Sequence, residues 1–143
     1  MRYLLDTNIV GQLMRAHPVA LERLARHGTD RVFISAITEA EICFGLAKRP
    51  AAARLHRAVE VLREQVEVLD FTARTALVYE SLRADLESSG MPMSPLDTLI
   101  AATALEHRQD DADIVLVTSD HAFSRIPGLV VEDWTVEACG EGQ

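Results

Sequence analysis

Ile114-Val115-Leu116-Val117 is an unbroken apolar run, too short for a helix and ended at once by Thr118-Ser119-Asp120. Such a run reads as a strand buried on both faces. Tyr3-Leu4-Leu5, Arg31-Val32-Phe33-Ile34, Val68-Leu69 and Leu129 to Val131 read as further strands. The segments between them carry helical spacing. Thr7 to Arg15 ends before Pro18, and Ala20 to His27 is closed by Gly28 in the manner of a left-handed C′ glycine. Ser35 caps a helix to about Lys48 that Pro50 stops. Ala51 to Val66 and Thr72 to Leu86 follow, and Ser94-Pro95 opens a last helix to His107. Strands alternating with helices predict an α/β fold with a mainly parallel central sheet. In such sheets ligands gather at the carboxyl ends of the strands. Asp6 and Asp120 both stand at a strand end.

The chain has 143 residues, enough for one domain spanning 1–143, with Gly140-Glu141-Gly142-Gln143 as a short tail. Aromatics make up only 5%, so the core is expected from Leu, Val, Ile and Ala. Cys43 lies in an apolar helix pattern and reads as a small buried hydrophobe; Cys139 is far from it, and no disulfide framework is expected. The apolar N-terminal stretch is broken at Asp6, too early for a signal peptide or a membrane span, so a reducing cytoplasm is the expected location. A net charge of −8 argues against a basic surface that grips nucleic acid. Acidity gathered into a metal site would reverse that local sign.

Four acids bear on that possibility, and each has a local alternative. Asp6 suits an N-cap for the helix that follows it, and Asp120 suits a cap for His121-Ala122-Phe123. Ser94-Pro95-Leu96-Asp97 matches a capping box, placing Asp97 where a mostly apolar helix meets the surface. At 100° per residue, Ile37, Ala40, Phe44 and Ala47 share a stripe, with Glu41 beside it and Glu39 opposite, in solvent. Glu41 on that core edge needs an arginine or another donor. If the four converge, their repulsion calls for a hard divalent cation, Mg²⁺ or Mn²⁺. His17, His27, His56, His107 and His121 lack zinc spacing and read as surface helix or turn residues.

Leu4-Leu5-Asp6-Thr7-Asn8, Ile34 through Gly45, Ser94 through Ala102 and Val117 through Phe123 resemble, in order, the four blocks of the PIN-domain ribonucleases. Arg125 to Leu129 and Glu132-Asp133-Trp134 resemble the closing segment of the VapC toxins in that family. The resemblance implies a three-layer α/β/α fold and an endoribonuclease toxin paired with a VapB-like antitoxin, acting on tRNA or ribosomal RNA as a homodimer. It also implies an acid cluster of Asp6, Glu41, Asp97 and Asp120, with Mg²⁺ on Asp6, Asp97 and Asp120 and support from Thr7, Asn8, Thr118 and Ser119. Arg15, Lys48, Arg49 and Arg125 are the cations considered for RNA phosphates, and the antitoxin would bring a basic side chain to the carboxylates.

Rival readings fit less well. A phosphatase of the haloacid dehalogenase type needs a second Asp two residues after the first, where Asn8 stands, and a late lysine. Lys48 is the only lysine, which also disfavours a response-regulator receiver. An inactive RNA-binding module would have no reason to keep all four acids. A PIN nuclease of RNA processing, without antitoxin, is the remaining variant.

Overall fold

The computed structural model describes residues 1–28, 30–110 and 113–137. The strands are β1 (Arg2–Leu5), β2 (Arg31–Ser35), β3 (Glu67–Leu69), β4 (Ile114–Val117) and β5 (Val131–Glu132). The helices are α1 (Thr7–Met14), α2 (Pro18–Arg26), α3 (Ala36–Lys48), α4 (Ala53–Gln65), α5 (Ala73–Ser88) and α6 (Pro95–Asp110), with a 3₁₀ turn at His121–Arg125. All five strands are parallel, in the order β3-β2-β1-β4-β5. No helix among the described residues is long and apolar enough to cross a membrane.

Alternation along the central strands builds two cores, one on each side of the sheet. Tyr3, Leu5, Val32, Ile34, Val115 and Val117 pack with Ile9, Val10 and Leu13 of α1, Leu24 of α2 and Leu62 of α4. Leu4, Phe33, Ile114 and Leu116 pack on the other side with Leu82 and Leu86 of α5 and with Ile100, Ala101 and Ala104 of α6. The result is three layers, α/β/α.

Strand order and register define the site. Leu5 pairs with both Ile34 and Val117, so Ser35, Asp6 and Thr118 emerge side by side where the three central strands end. The chain leaves β1 toward β2 and β3 on one side and returns as β4 and β5 on the other. The carboxyl ends of β1 and β4 therefore form the switch point where such sheets open a crevice.

Several local expectations change. Pro18, expected only to end the first helix, starts α2, where its missing N–H costs nothing. Gly28 does not take a left-handed φ; its N–H bonds the Ala25 carbonyl, a tight last turn that any residue could make. The last strand sits slightly later than expected, because Glu132 pairs with Val117 and its carbonyl accepts the Thr118 N–H. Cys43 is exposed, not buried, and Phe44 is 65% exposed with the Lys48 ammonium over its ring. Helix α3 is rotated so that Thr38, Glu41 and Ile42 face inward, and Ala40, Cys43, Phe44 and Ala47 face out. Cys139 and the tail from 138 to 143 lie outside the described residues.

The closing segment is held by burial and by one arginine. Trp134 is fully buried, its ring stacked 4.9 Å from that of His27 and 5.3 Å from that of Tyr3. Its indole N–H donates to Glu132. Arg23 of α2 pairs with Glu132 and donates to the Asp133 and Val136 carbonyls. His27, expected as a plain turn residue, is thus part of an aromatic stack. Trp134→Ala removes the largest fully buried side chain and should cost about 3 to 5 kcal/mol. Thermal unfolding should show a Tm lower by about 10 °C.

Candidate active site

Asp6 leaves β1 through a backbone N–H bond to the Val117 carbonyl, which fixes it beside β4. It also caps α1: Oδ1 accepts the Ile9 N–H at 2.8 Å. Only 3% of the residue is exposed. Burial is the largest influence on its carboxyl and pushes the pKa up to about 6 from 3.8; bonds from the Thr118 hydroxyl and the Ile9 N–H pull it down, and the charges of Asp97 and Asp120 raise it again. Asp97 and Asp120 therefore both lie near enough for their charges to bear on Asp6.

Thr118 joins two of these acids. Its hydroxyl donates to Asp6 and accepts the Asp120 backbone N–H at 3.0 Å. Asp120 uses Oδ1 to accept the Ala122 N–H at 2.9 Å and is otherwise exposed. At α6, Ser94 Oγ accepts the Asp97 N–H at 3.2 Å, but the return half of the capping box does not form. Among the described residues, the Asp97 carboxylate has neither a hydrogen-bond donor nor an ion-pair partner.

Glu41 pairs with no arginine. Its Oε1 accepts from Thr7 Oγ1 at 2.9 Å, and Thr7 lies 3.0 Å from Thr38 Oγ1. Thr38 is completely buried and packed on Ser35, whose Oγ accepts the Thr38 N–H at 3.1 Å and sits 3.3 Å from its hydroxyl. Thr7 thus bonds Glu41, not Asp6. Asn8 is exposed with no polar contact among the described residues, and Ser119 is half-buried beside Asp120. Glu39 departs from expectation: its side chain is only 25% exposed and pairs with Arg63 of α4.

A groove of about 270 Å³ runs between α1, α3 and α4, with Thr7, Glu41, Arg15 and Arg49 on its wall and Val10, Ile42 and Leu46 as its floor. Lys48 is occupied with Phe44, and Arg125 lines a separate cavity of about 810 Å³ beside α5 and α6. Among the described residues, no three acid, histidine or cysteine side chains are already gathered closely enough to hold a metal ion. The donors on offer are all carboxylate oxygens, the set a hard divalent cation takes, and Asp6 is destabilised as an anion until positive charge reaches it. Ser35 and Thr38, buried behind Thr7, are the hydroxyl partners that sequence reading missed. Their only signal was the three-residue spacing Ser35, Thr38, Glu41, which an N-cap explains equally well.

The PIN domain model matches residues 3–129. Ribonuclease VapC2 of Rickettsia felis is 33% identical over 94% of this chain and 98% of its own length. The tRNA(fMet)-specific endonuclease VapC of Salmonella typhimurium is likewise 33% identical, over the same shares. The crystal structure of VapBC2 from Rickettsia felis bound to a DNA fragment from its promoter superimposes with a TM-score of 0.83, at 30% identity over 94% of this chain and 99% of that one. The parallel sheet, the acids at its switch point and these relatives agree: the chain belongs to the PIN-domain family, among its VapC ribonucleases.

Proposed function

We propose that this protein is the endoribonuclease toxin of a type II toxin–antitoxin pair, hydrolysing phosphodiester bonds of tRNA or ribosomal RNA with Mg²⁺ as its cofactor. The observation that carries the reading is the buried Asp6 sharing its field with Asp97 and Asp120, one of which has no local partner. Relatives named as ribonucleases and a structural neighbour solved as a VapBC complex support the substrate and a VapB-like antitoxin. Homodimer formation is proposed on the same family grounds.

Asp6, Asp97 and Asp120 would hold the cation. Once bound, Mg²⁺ would neutralise charge on the phosphate oxygens and acidify a water molecule. Thr118, bonded to Asp6 and to the Asp120 backbone, would help to orient the Asp6 carboxylate. Glu41, oriented by Thr7, would take the proton of the attacking water as a general base. Arg15 and Arg49, on the same wall as Glu41, would contact flanking RNA phosphates. The apolar floor between them is where an antitoxin segment would lie, with its basic side chain meeting the carboxylates.

Asp6→Asn and Asp97→Asn should each lower RNA cleavage by at least about 100-fold and relieve toxicity in a growth assay, with circular dichroism unchanged. Cleavage at the wild-type rate by either variant would remove the site assignment.

The Asp6 pKa also makes a prediction about stability. Folding raises it from 3.8 to about 6, so above pH 6 the ionised group destabilises the fold, and the penalty fades as pH falls from 6 toward 4. Asp6→Asn keeps the cap and should raise Tm at pH 7.5, by a gain of up to roughly 3 kcal/mol that disappears near pH 4. Mg²⁺ should raise Tm of the wild type and leave Asp6→Asn nearly unmoved. An equal Mg²⁺ response in both proteins would place the cation elsewhere.

A further inference from the structure

Three hydroxyl groups connect the end of β2 to Glu41. Ser35 Oγ lies 3.3 Å from Thr38 Oγ1, Thr38 Oγ1 lies 3.0 Å from Thr7 Oγ1, and Thr7 Oγ1 lies 2.9 Å from Glu41 Oε1. Each hydroxyl has one proton to give, and an ionised carboxylate can only accept. Thr7 therefore spends its proton on Glu41 and must accept from Thr38. Thr38, having given its proton to Thr7, must accept from Ser35. The direction of the whole chain is fixed: Ser35 to Thr38 to Thr7 to Glu41.

Two further facts hold that direction. Ser35 Oγ already accepts the Thr38 backbone N–H at 3.1 Å, which leaves its proton free to point down the chain. Ser35 and Thr38 are almost completely buried, so water does not compete for the links. Aligned hydroxyls polarise one another, and the last donor in such a series is stronger than an isolated threonine.

Resting on the nuclease reading above, we propose that Thr38 and Ser35 are positioning residues of the active site, acting through Thr7 to orient Glu41. Neither touches the carboxylate. Their effect is to hold Oε1 by a donor whose own rotamer is locked, leaving Oε2 free for the attacking water. The inward rotation of α3 follows from the same requirement: the helix turns Thr38 and Glu41 to the sheet and gives up burying Phe44.

The test compares Thr38→Val, which keeps the shape and removes the hydroxyl, with Thr38→Ser, which keeps the hydroxyl. Steady-state cleavage of a model RNA with Mg²⁺ should show kcat lower by about 10- to 100-fold for Thr38→Val, KM within about twofold, and kcat largely restored in Thr38→Ser. A second readout needs no cation and no substrate. In metal-free protein, the Tm losses of Thr38→Val and Glu41→Ala should be non-additive in the double variant by about 2 °C or more, since alanine removes the acceptor that ends the chain. Additive losses, or a wild-type kcat in Thr38→Val, would overturn the proposal. If Asp6→Asn and Asp97→Asn cleave normally, the nuclease reading itself has failed; if those two are inactive and Thr38→Val is not, only the hydroxyl chain is lost.

Discussion

The buried carboxylate of Asp6 is the constraint around which the rest is arranged. It follows the central strand, flanked by β2 and β4, with a pairing register that leaves only 3% of the residue exposed. Local donors do not solve its problem: the Ile9 N–H and the Thr118 hydroxyl both favour the charged form, yet the pKa still settles near 6. The charges of Asp97 and Asp120 make ionisation harder. A fold selected for stability alone would place Asn there, keeping the cap and removing the charge. Retaining the acid makes sense when a cation completes the site.

Capping and catalysis are often treated as rival explanations for an acid at a helix start, and under the proposed function they coincide. Asp6 and Asp120 each commit one oxygen to a helix or turn N-terminus, at 2.8 and 2.9 Å. That bond fixes the carboxylate plane and leaves the second oxygen for the site. Asp97 is the exception that separates the roles: Ser94 caps its helix, and the acid is left with nothing local to do. The capping bonds are thus an orienting device.

Strands were legible from sequence because runs as short as Ile114 to Val117, wholly apolar and closed by polar residues, have few other uses. Helices were legible from their punctuation, and boundaries moved by at most three residues. The face of α3 was not legible. Hydrophobic periodicity assumes that the apolar side of a helix is its inner side, and Ile37, Ala40, Phe44 and Ala47 supplied a plausible stripe. In the fold the inner side carries Thr38 and Glu41, because that helix lines a polar site as well as a core. Glu41 was placed inward for a reason that proved incomplete, and Glu39 and Cys43 were misplaced by the same assumption. Ser35 and Thr38 stayed hidden because a capping serine and a helical threonine need no further explanation.

An acidic protein that cleaves RNA poses an electrostatic problem with a local solution. The four acids Asp6, Glu41, Asp97 and Asp120 carry −4 of the net −8 when ionised. With all four ionised, that charge would repel a phosphodiester; a bound divalent cation would halve it, and Arg15 and Arg49, which line the groove beside Glu41, would offset the rest. If the carboxylates hold a cation as proposed, cation and substrate should bind in that order. The arginines alone are too few to reverse it.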